Sequence, residues 1–222
     1  MKRKPSRELL DDDAGSPQEV AESLADLRFV NRWFGGVSTT CSLLRRVIDK
    51  HNSKRLSMLE VAAGSADVAL QNQHSFLNNG IQISVTALDR SASHLPSGVP
   101  RVVADALALP FHDDAFDVVA SALFAHHLPP QEFFLFVCEA LRVAKVAVLI
   151  NDLIRHPMHL ALIYAGMPLY RSRITRHDAV ASVKQAYTIE EMRAMFTNSG
   201  APEIEISRHY LFRMGVIAWK RA

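Results

Sequence analysis

Cysteine is nearly absent from this chain of 222 residues: it has two, Cys41 and Cys138, and no CxxC pair. A disulfide framework and a cysteine-ligated metal site are both excluded. The two stand in apolar stretches, TTCSLL and FVCEAL, so buried free thiols in a reducing, cytoplasmic compartment are expected. Glycine and proline number only 9 and 10, too few for a collagen-like chain. A charge excess of one sign is also missing, since 25 Lys and Arg face 23 Asp and Glu for a net +2. That balance gives no electrostatic reason to expect nucleic acid as a partner. No apolar run reaches the ~20 residues that span a bilayer. The basic start MKRKPSRELL has no apolar segment behind it, so a secretory signal is not expected.

What remains is an ordinary folded composition, 49% apolar and 22% charged, and a length that supports one sizeable core. Residues 1–17 read as a frayed charged arm. Ser16 before Pro17, with Glu19 behind, starts a helix, and Gly35-Gly36 stops it. A second helix follows through Leu43, Leu44, Val47 and Ile48. From residue 55 the pattern alternates: strands at 56–62, 81–89, 100–105, 116–124 and 145–153, with helices at 66–78 and after Pro129-Pro130. Short apolar runs separated by helices predict a parallel sheet covered on both faces. Residues 157–170 are apolar and helical, 171–184 read as a basic loop, and Thr188 with Glu191 forms a capping box. A terminal hairpin turning near residue 210 ends the chain. The division expected is an N-terminal arm and helical lid over 1–54 and a catalytic domain over 55–222.

Chemistry-bearing residues fall at the strand ends. The first strand runs through Glu60 into Ala62-Ala63-Gly64-Ser65-Ala66, a turn whose backbone N–H groups can approach a ligand because Gly64 has no side chain. A plain tight turn fits the same residues. The second strand ends in Asp89, placed to accept hydrogen bonds from ribose hydroxyls or to cap a helix at Ser91. The third ends in Asp105-Ala106, where a carboxylate can reach an adenine amino group between apolar neighbours. The turn lacks the three-glycine spacing for a pyrophosphate.

Acid, glycine turn, acid, acid and an FDVV strand, in that order, resemble the class I S-adenosylmethionine-dependent methyltransferases, of the small-molecule type, over about residues 55–153. The segment ADALALPFHDDAFDVV (104–119) carries much of the likeness. The resemblance implies a Rossmann-like, doubly wound α/β fold with a seven-stranded sheet of order 3-2-1-4-5-7-6, the seventh strand antiparallel. It implies S-adenosylmethionine as cofactor, with Glu60, Gly64, Asp89 and Asp105 as its contacts and Ala62, Arg90, Ala106 and Ser121 beside them. Ala62 and Ala66 depart from the glycines usual there, and the PGG usual before the fifth strand is absent.

After the fourth strand, Phe124-Ala125-His126-His127 lies beside the expected position of the methyl group. Either His126 or His127 is a candidate base; packing and capping are the alternative uses. Trp33, Phe34, Phe124, Asn151, Tyr164 and Arg176 are the candidate acceptor contacts, around a flat apolar molecule such as a phenol, quinone or polyketide-like compound. His156 and His159 stand three apart but lack a third ligand of suitable spacing, so no metal is expected. The function implied is methyl transfer to a small acceptor, at oxygen first, in bacterial secondary metabolism. A methyltransferase-fold binding protein without activity and an RNA or protein methyltransferase are the alternatives. Monomer and dimer are both open.

Overall fold

The structure, a computed structural model, describes residues 1–197 and 199–220. Seven strands form one sheet: β1 (Arg55–Val61), β2 (Gln82–Asp89), β3 (Arg101–Val103), β4 (Phe116–Ala122), β5 (Ala144–Leu153), β6 (Glu203–His209) and β7 (Arg213–Trp219). Their order is β3-β2-β1-β4-β5-β7-β6. Strands β1 to β5 pair in parallel, and β7 is antiparallel to both β5 and β6. This is the fold class and strand order expected. The order reverses between β1 and β4, which leaves a crevice above their carboxyl ends.

Apolar runs make these strands because both faces are covered. On one face α2 (Gly36–His51) and α3 (Asp67–Leu77) pack Leu43, Leu44, Val47 and Phe76 against Met58, Val85 and Leu149. On the other, α4 (Pro130–Val143) and α7 (Ile189–Phe196) bury Phe133, Phe136, Met192 and Phe196. The expected lid therefore divides: α2 belongs to the core layer, while α1 (Pro17–Trp33) and the arm before it pass over the crevice. Both capping boxes form, Ser16 with Glu19 and Thr188 with Glu191. Cys41 and Cys138 are free and only half-buried.

Two segments differ from expectation. Residues 171–184 are not a loop: α6 spans Arg173–Gln185. Nor is the arm frayed. Lys4 N–H donates to the Lys184 carbonyl, the Leu9 and Leu10 N–H groups donate to Asp178, and Glu8 accepts from Ser182 and Gln185. Arg3 reaches the carbonyls of Gln185 and His126 and stacks on Tyr187. The buried face of α6 is mostly polar: Asp178, Ser182 and Gln185 meet the polar arm, and Thr175 meets α1. Neither partner shows an apolar period, which is the signal that sequence reading depends on.

α1 is tied down in the same way. Buried Asp26 accepts from the N–H groups of Arg171 and Ser172, at 2.9 and 3.0 Å, and Ser23 bonds Thr175. Its apolar residues Leu24, Leu27 and Val30 are thereby left facing the crevice. Asp26→Ala strands two buried donors and is expected to cost about 2–4 kcal/mol. Urea unfolding should show the midpoint falling with an unchanged slope.

Candidate active site

The crevice opens into a cavity of about 760 Å³, within the range of small-molecule sites. Its floor is the row of strand ends. The turn after β1 takes Ala62, Gly64 and Ala66 through left-handed backbone, with φ of 53°, 50° and 51°. Asp89 at the end of β2 accepts from the Gly64 N–H at 2.8 Å and the Ser91 N–H at 2.9 Å. One carboxylate thus ties the turn to the second strand, and each oxygen keeps a lone pair toward the cavity. Asp105, exposed to the cavity, accepts from the Leu107 N–H. Ala106 lies beside it, and Arg90 bonds the Asp11 carbonyl at the rim.

The far end is apolar. Leu24, Leu27, Val30 and Phe34, from α1 and its end, face Leu162, Ile163 and Leu169, the first two of which come from α5 (Pro157–Gly166). The two walls anticipated from the sequence exist, but not every residue chosen on them points inward. Phe34, Phe124, His126 and His127 line the cavity. Trp33 and Tyr164 do not, being 60% and 54% exposed on the outer faces of their helices. Arg176 donates to the Tyr170 carbonyl outside it. Asn151 is buried beneath α2, donating to the Gly36 carbonyl and to Thr40; it holds a helix start rather than a ligand. Ser121 and Glu60 are buried behind the floor. His156 caps α5 by accepting from Met158 N–H, and both it and His159 stack on Phe212.

Three titratable groups dominate the electrostatics. Burial, and next the charge of Asp67, pushes the Glu60 carboxyl up to about 8, and its Oε2 has no partner. Glu60 is therefore neutral at pH 7. Burial alone would lower His126, but the charge and the 2.6 Å hydrogen bond of Asp152, with Glu8 opposite, hold its imidazole near 10. It already carries a proton at neutral pH, so the expectation that it acts as a base there does not fit. Its Nε2 stands 3.4 Å from Glu8 Oε1, an ion contact without hydrogen-bond geometry. His127 bonds Asp11 through Nδ1 at 2.9 Å.

The third group was missed by sequence reading. Arg213, at the start of β7, is 1% exposed and lines the cavity. It donates to Asn31 at 3.1 Å and Asn151 at 3.5 Å. Among the described residues no carboxylate lies within ion-pairing distance of it, and burial pulls its guanidinium down to about 10. A buried cation without a counter-ion is costly. Nothing in RHYLFRMGV distinguishes it from a surface arginine, because β7 is buried on both faces and shows no alternation.

Residues 58–149 match the model of the methyltransferase domain family. None of the curated proteins matches the chain by sequence. Among solved structures, the plantazolicin methyltransferase BpumL, in complex with a triazolic desmethylPZN analog and SAH, aligns over 96% of this chain and 95% of its own, at 12% identity and a TM-score of 0.68. A magnesium protoporphyrin IX methyltransferase from Synechocystis, with bound SAH, aligns over 84% of each chain at 12% identity and a TM-score of 0.55. A candidate O-methyltransferase from Nostoc punctiforme aligns at 14% identity and a TM-score of 0.57, over 82% of this chain but only 56% of that one. These likenesses establish the fold. Among the described residues no helix is long and apolar enough to cross a membrane.

The Glu60 site yields a signed pH prediction. The unfolded carboxyl titrates near 4.5 and the folded one near 8. Folding stability is thus fully present below about 4.5 and is lost as pH rises toward 8. Glu60→Gln should flatten that decline and leave the ligand-free variant more stable at pH 7, on the order of 3 kcal/mol. Urea titrations at pH 5 and pH 7.5 check it: parallel losses in both proteins would contradict the assignment.

Proposed function

We propose that this chain, of which residues 58–149 match the methyltransferase domain family, is a class I S-adenosylmethionine-dependent enzyme that moves a methyl group from S-adenosylmethionine to a small, largely apolar acceptor, at oxygen. The observation that carries this reading is the joined pair at the floor, Gly64 N–H on Asp89, opposite an apolar wall. The residues present fit the cofactor. Asp89 has free lone pairs for two ribose hydroxyls, Asp105 and Ala106 suit an adenine edge, and the bare Gly64 turn admits the sulfur-bearing chain. Arg213 lacks an anion and suits the methionyl carboxylate.

The cofactor supplies a methyl already activated on a sulfonium, whose departure leaves neutral sulfur. The protein's part is to align the acceptor oxygen with the S–CH3 bond and to keep water out. Leu24, Leu27 and Val30 on one wall and Leu162, Ile163 and Leu169 on the other do both. They suit a phenol, quinone or polyketide-like molecule, and the arm residues Leu10 and Asp11 form part of the roof. His126 does not take the acceptor's proton at neutral pH, because it holds one between Asp152 and Glu8. Phe124 and His127 are contacts for the acceptor's ring, stacked on each other at 6.4 Å.

Titration calorimetry with S-adenosylhomocysteine tests the cofactor half. Asp89→Ala should weaken binding by about 100-fold, the loss of two hydrogen bonds to a charged group. Arg213→Met is more discriminating. It removes an unpaired buried charge at similar volume, so the melting temperature should hold or rise. S-adenosylhomocysteine affinity should nevertheless drop about tenfold. Unchanged affinity in both variants would sink the reading. Transfer of labelled methyl to a panel of phenolic acceptors tests the other half.

A further inference from the structure

The roof of the cavity brings together three side chains from two distant parts of the chain. Glu8 comes from the arm, and His126 and His127 from the turn after β4. His126 Nε2 is 3.4 Å from Glu8 Oε1, and His127 Nε2 is 3.8 Å from Glu8 Oε2. One ligand atom from each of the three lies within 4.8 Å of the others. Ligands held at about 2.1 Å around a tetrahedral ion stand roughly 3.4 Å apart. The cluster is therefore already near the spacing a metal imposes.

The groups behind the three point the same way. Metal-binding histidines usually donate their other ring N–H to a carboxylate, which fixes the tautomer and turns the free nitrogen to the ion. Both histidines have that arrangement. His126 Nδ1 meets Asp152 at 2.6 Å, and His127 Nδ1 meets Asp11 at 2.9 Å. Glu8 is held by Ser182 at 2.6 Å and Gln185 at 2.7 Å through Oε1. His126 is 1% exposed and its Nε2 has no hydrogen-bond partner, although it faces the cluster. A buried polar atom left so, amid otherwise bonded neighbours, is open to a ligand, and a metal there would displace the proton that Nε2 shares with no acceptor.

We propose that Glu8, His126 and His127 form a site of two histidines and one carboxylate for a divalent transition metal of the zinc class, open on its fourth side to the cavity that all three line. Imidazole nitrogens and one carboxylate suit zinc rather than magnesium or calcium, which prefer all-oxygen shells. Three protein ligands with one open position match catalytic rather than structural zinc. The open position faces the wall where the acceptor lies under the methyl-transfer reading, and an acceptor oxygen is the ligand that reading would place there. Metal binding itself does not depend on that reading.

The test uses the full-length protein, stripped with chelator, and zinc alone as the probe. Calorimetry should find one zinc per chain with micromolar or tighter affinity, and cobalt should give the intense visible bands of a four-coordinate site. Glu8→Gln keeps size and bonding capacity, and His127→Ala removes a half-buried ring; each should weaken zinc by about 100-fold. Asp11→Asn, behind His127, should cost about tenfold. His112→Ala, on an exposed turn elsewhere, should bind zinc like the wild type. Circular dichroism confirms that the variants fold. Absence of saturable binding to the wild type, or wild-type affinity in either Glu8→Gln or His127→Ala, overturns the site. S-adenosylhomocysteine affinity, measured in parallel, separates its failure from that of the methyl-transfer reading.

Discussion

A line of alternating charge holds the cavity together. Asp152 ends β5, His126 follows β4, and Glu8 belongs to the arm, so one acid–imidazole–acid row joins two strand ends to the roof. All three are nearly buried. Charges so placed are tolerable only when each has an opposite neighbour, because the low dielectric that strengthens the pairs also penalises any charge left alone. Peeling the arm away would break the contact of Glu8 with His126 and its bonds from Ser182 and Gln185. A segment whose sequence looks frayed is thereby fixed, and the cavity gains a wall that the sheet alone does not provide. A cation at His126 Nε2 would take the place of its proton in the same row and leave the architecture unchanged.

The floor is held by backbone strain instead. Ala62 and Ala66 adopt left-handed backbone, which costs an L-residue with a side chain about 1–2 kcal/mol. The structure keeps the turn because its bonds over-determine it. Asp89 takes the Gly64 N–H, the Leu88 carbonyl takes the Ala63 N–H, and the Ala63 carbonyl takes the Ala66 N–H. The Ala66 methyl packs against Ala87 and Leu95 and recovers part of the cost. Alanine in place of glycine in this turn raises its strain without changing its course. Such strain collects at functional sites.

How much of this was legible in the sequence depended on the kind of contact. Strands 1, 2, 4 and 5 were legible because parallel strands covered on both faces are largely apolar, and the short edge strand β3 was marked by its flanking proline and Asp105. The helix starts at Ser16 and Thr188 were legible because a capping box is closed within four residues. Gly64, Asp89 and Asp105 were legible because strand ends share one edge of the sheet. The arm, α6, Glu8 and Arg213 were not. Their partners are polar and lie far along the chain, as with Ser6 and Gln185 or Arg213 and Asn31, and a polar pair leaves no periodic trace. Trp33 and Tyr164 were misplaced for a related reason. In α1 and α5 the cavity face and the outer face are both partly apolar, so residue type could not say which side turns inward.

Buried polar groups without partners occur at several places in the chain, Thr39 and Asn72 among them, and two of the costliest lie at the cavity. The cavity buries an arginine without a counter-ion and a histidine nitrogen without a partner, and behind its floor lies a glutamic acid neutralised by its surroundings. In the core, buried Asp26 and Asn151 are satisfied by two bonds each or more. A protein selected only for stability would satisfy or remove the first three as well. Arg213 and His126 both face the cavity, so what enters it can meet them. The unmet groups differ in chemistry: Arg213 calls for an anion, while the free oxygen of Glu8, and His126 Nε2 once its proton is displaced, suit a cation. The apolar wall between α1 and α5 asks for neither. Arg213 and the apolar wall together ask for a carboxylate-bearing part and a largely apolar one, and two molecules meeting in one cavity supply that combination more readily than one.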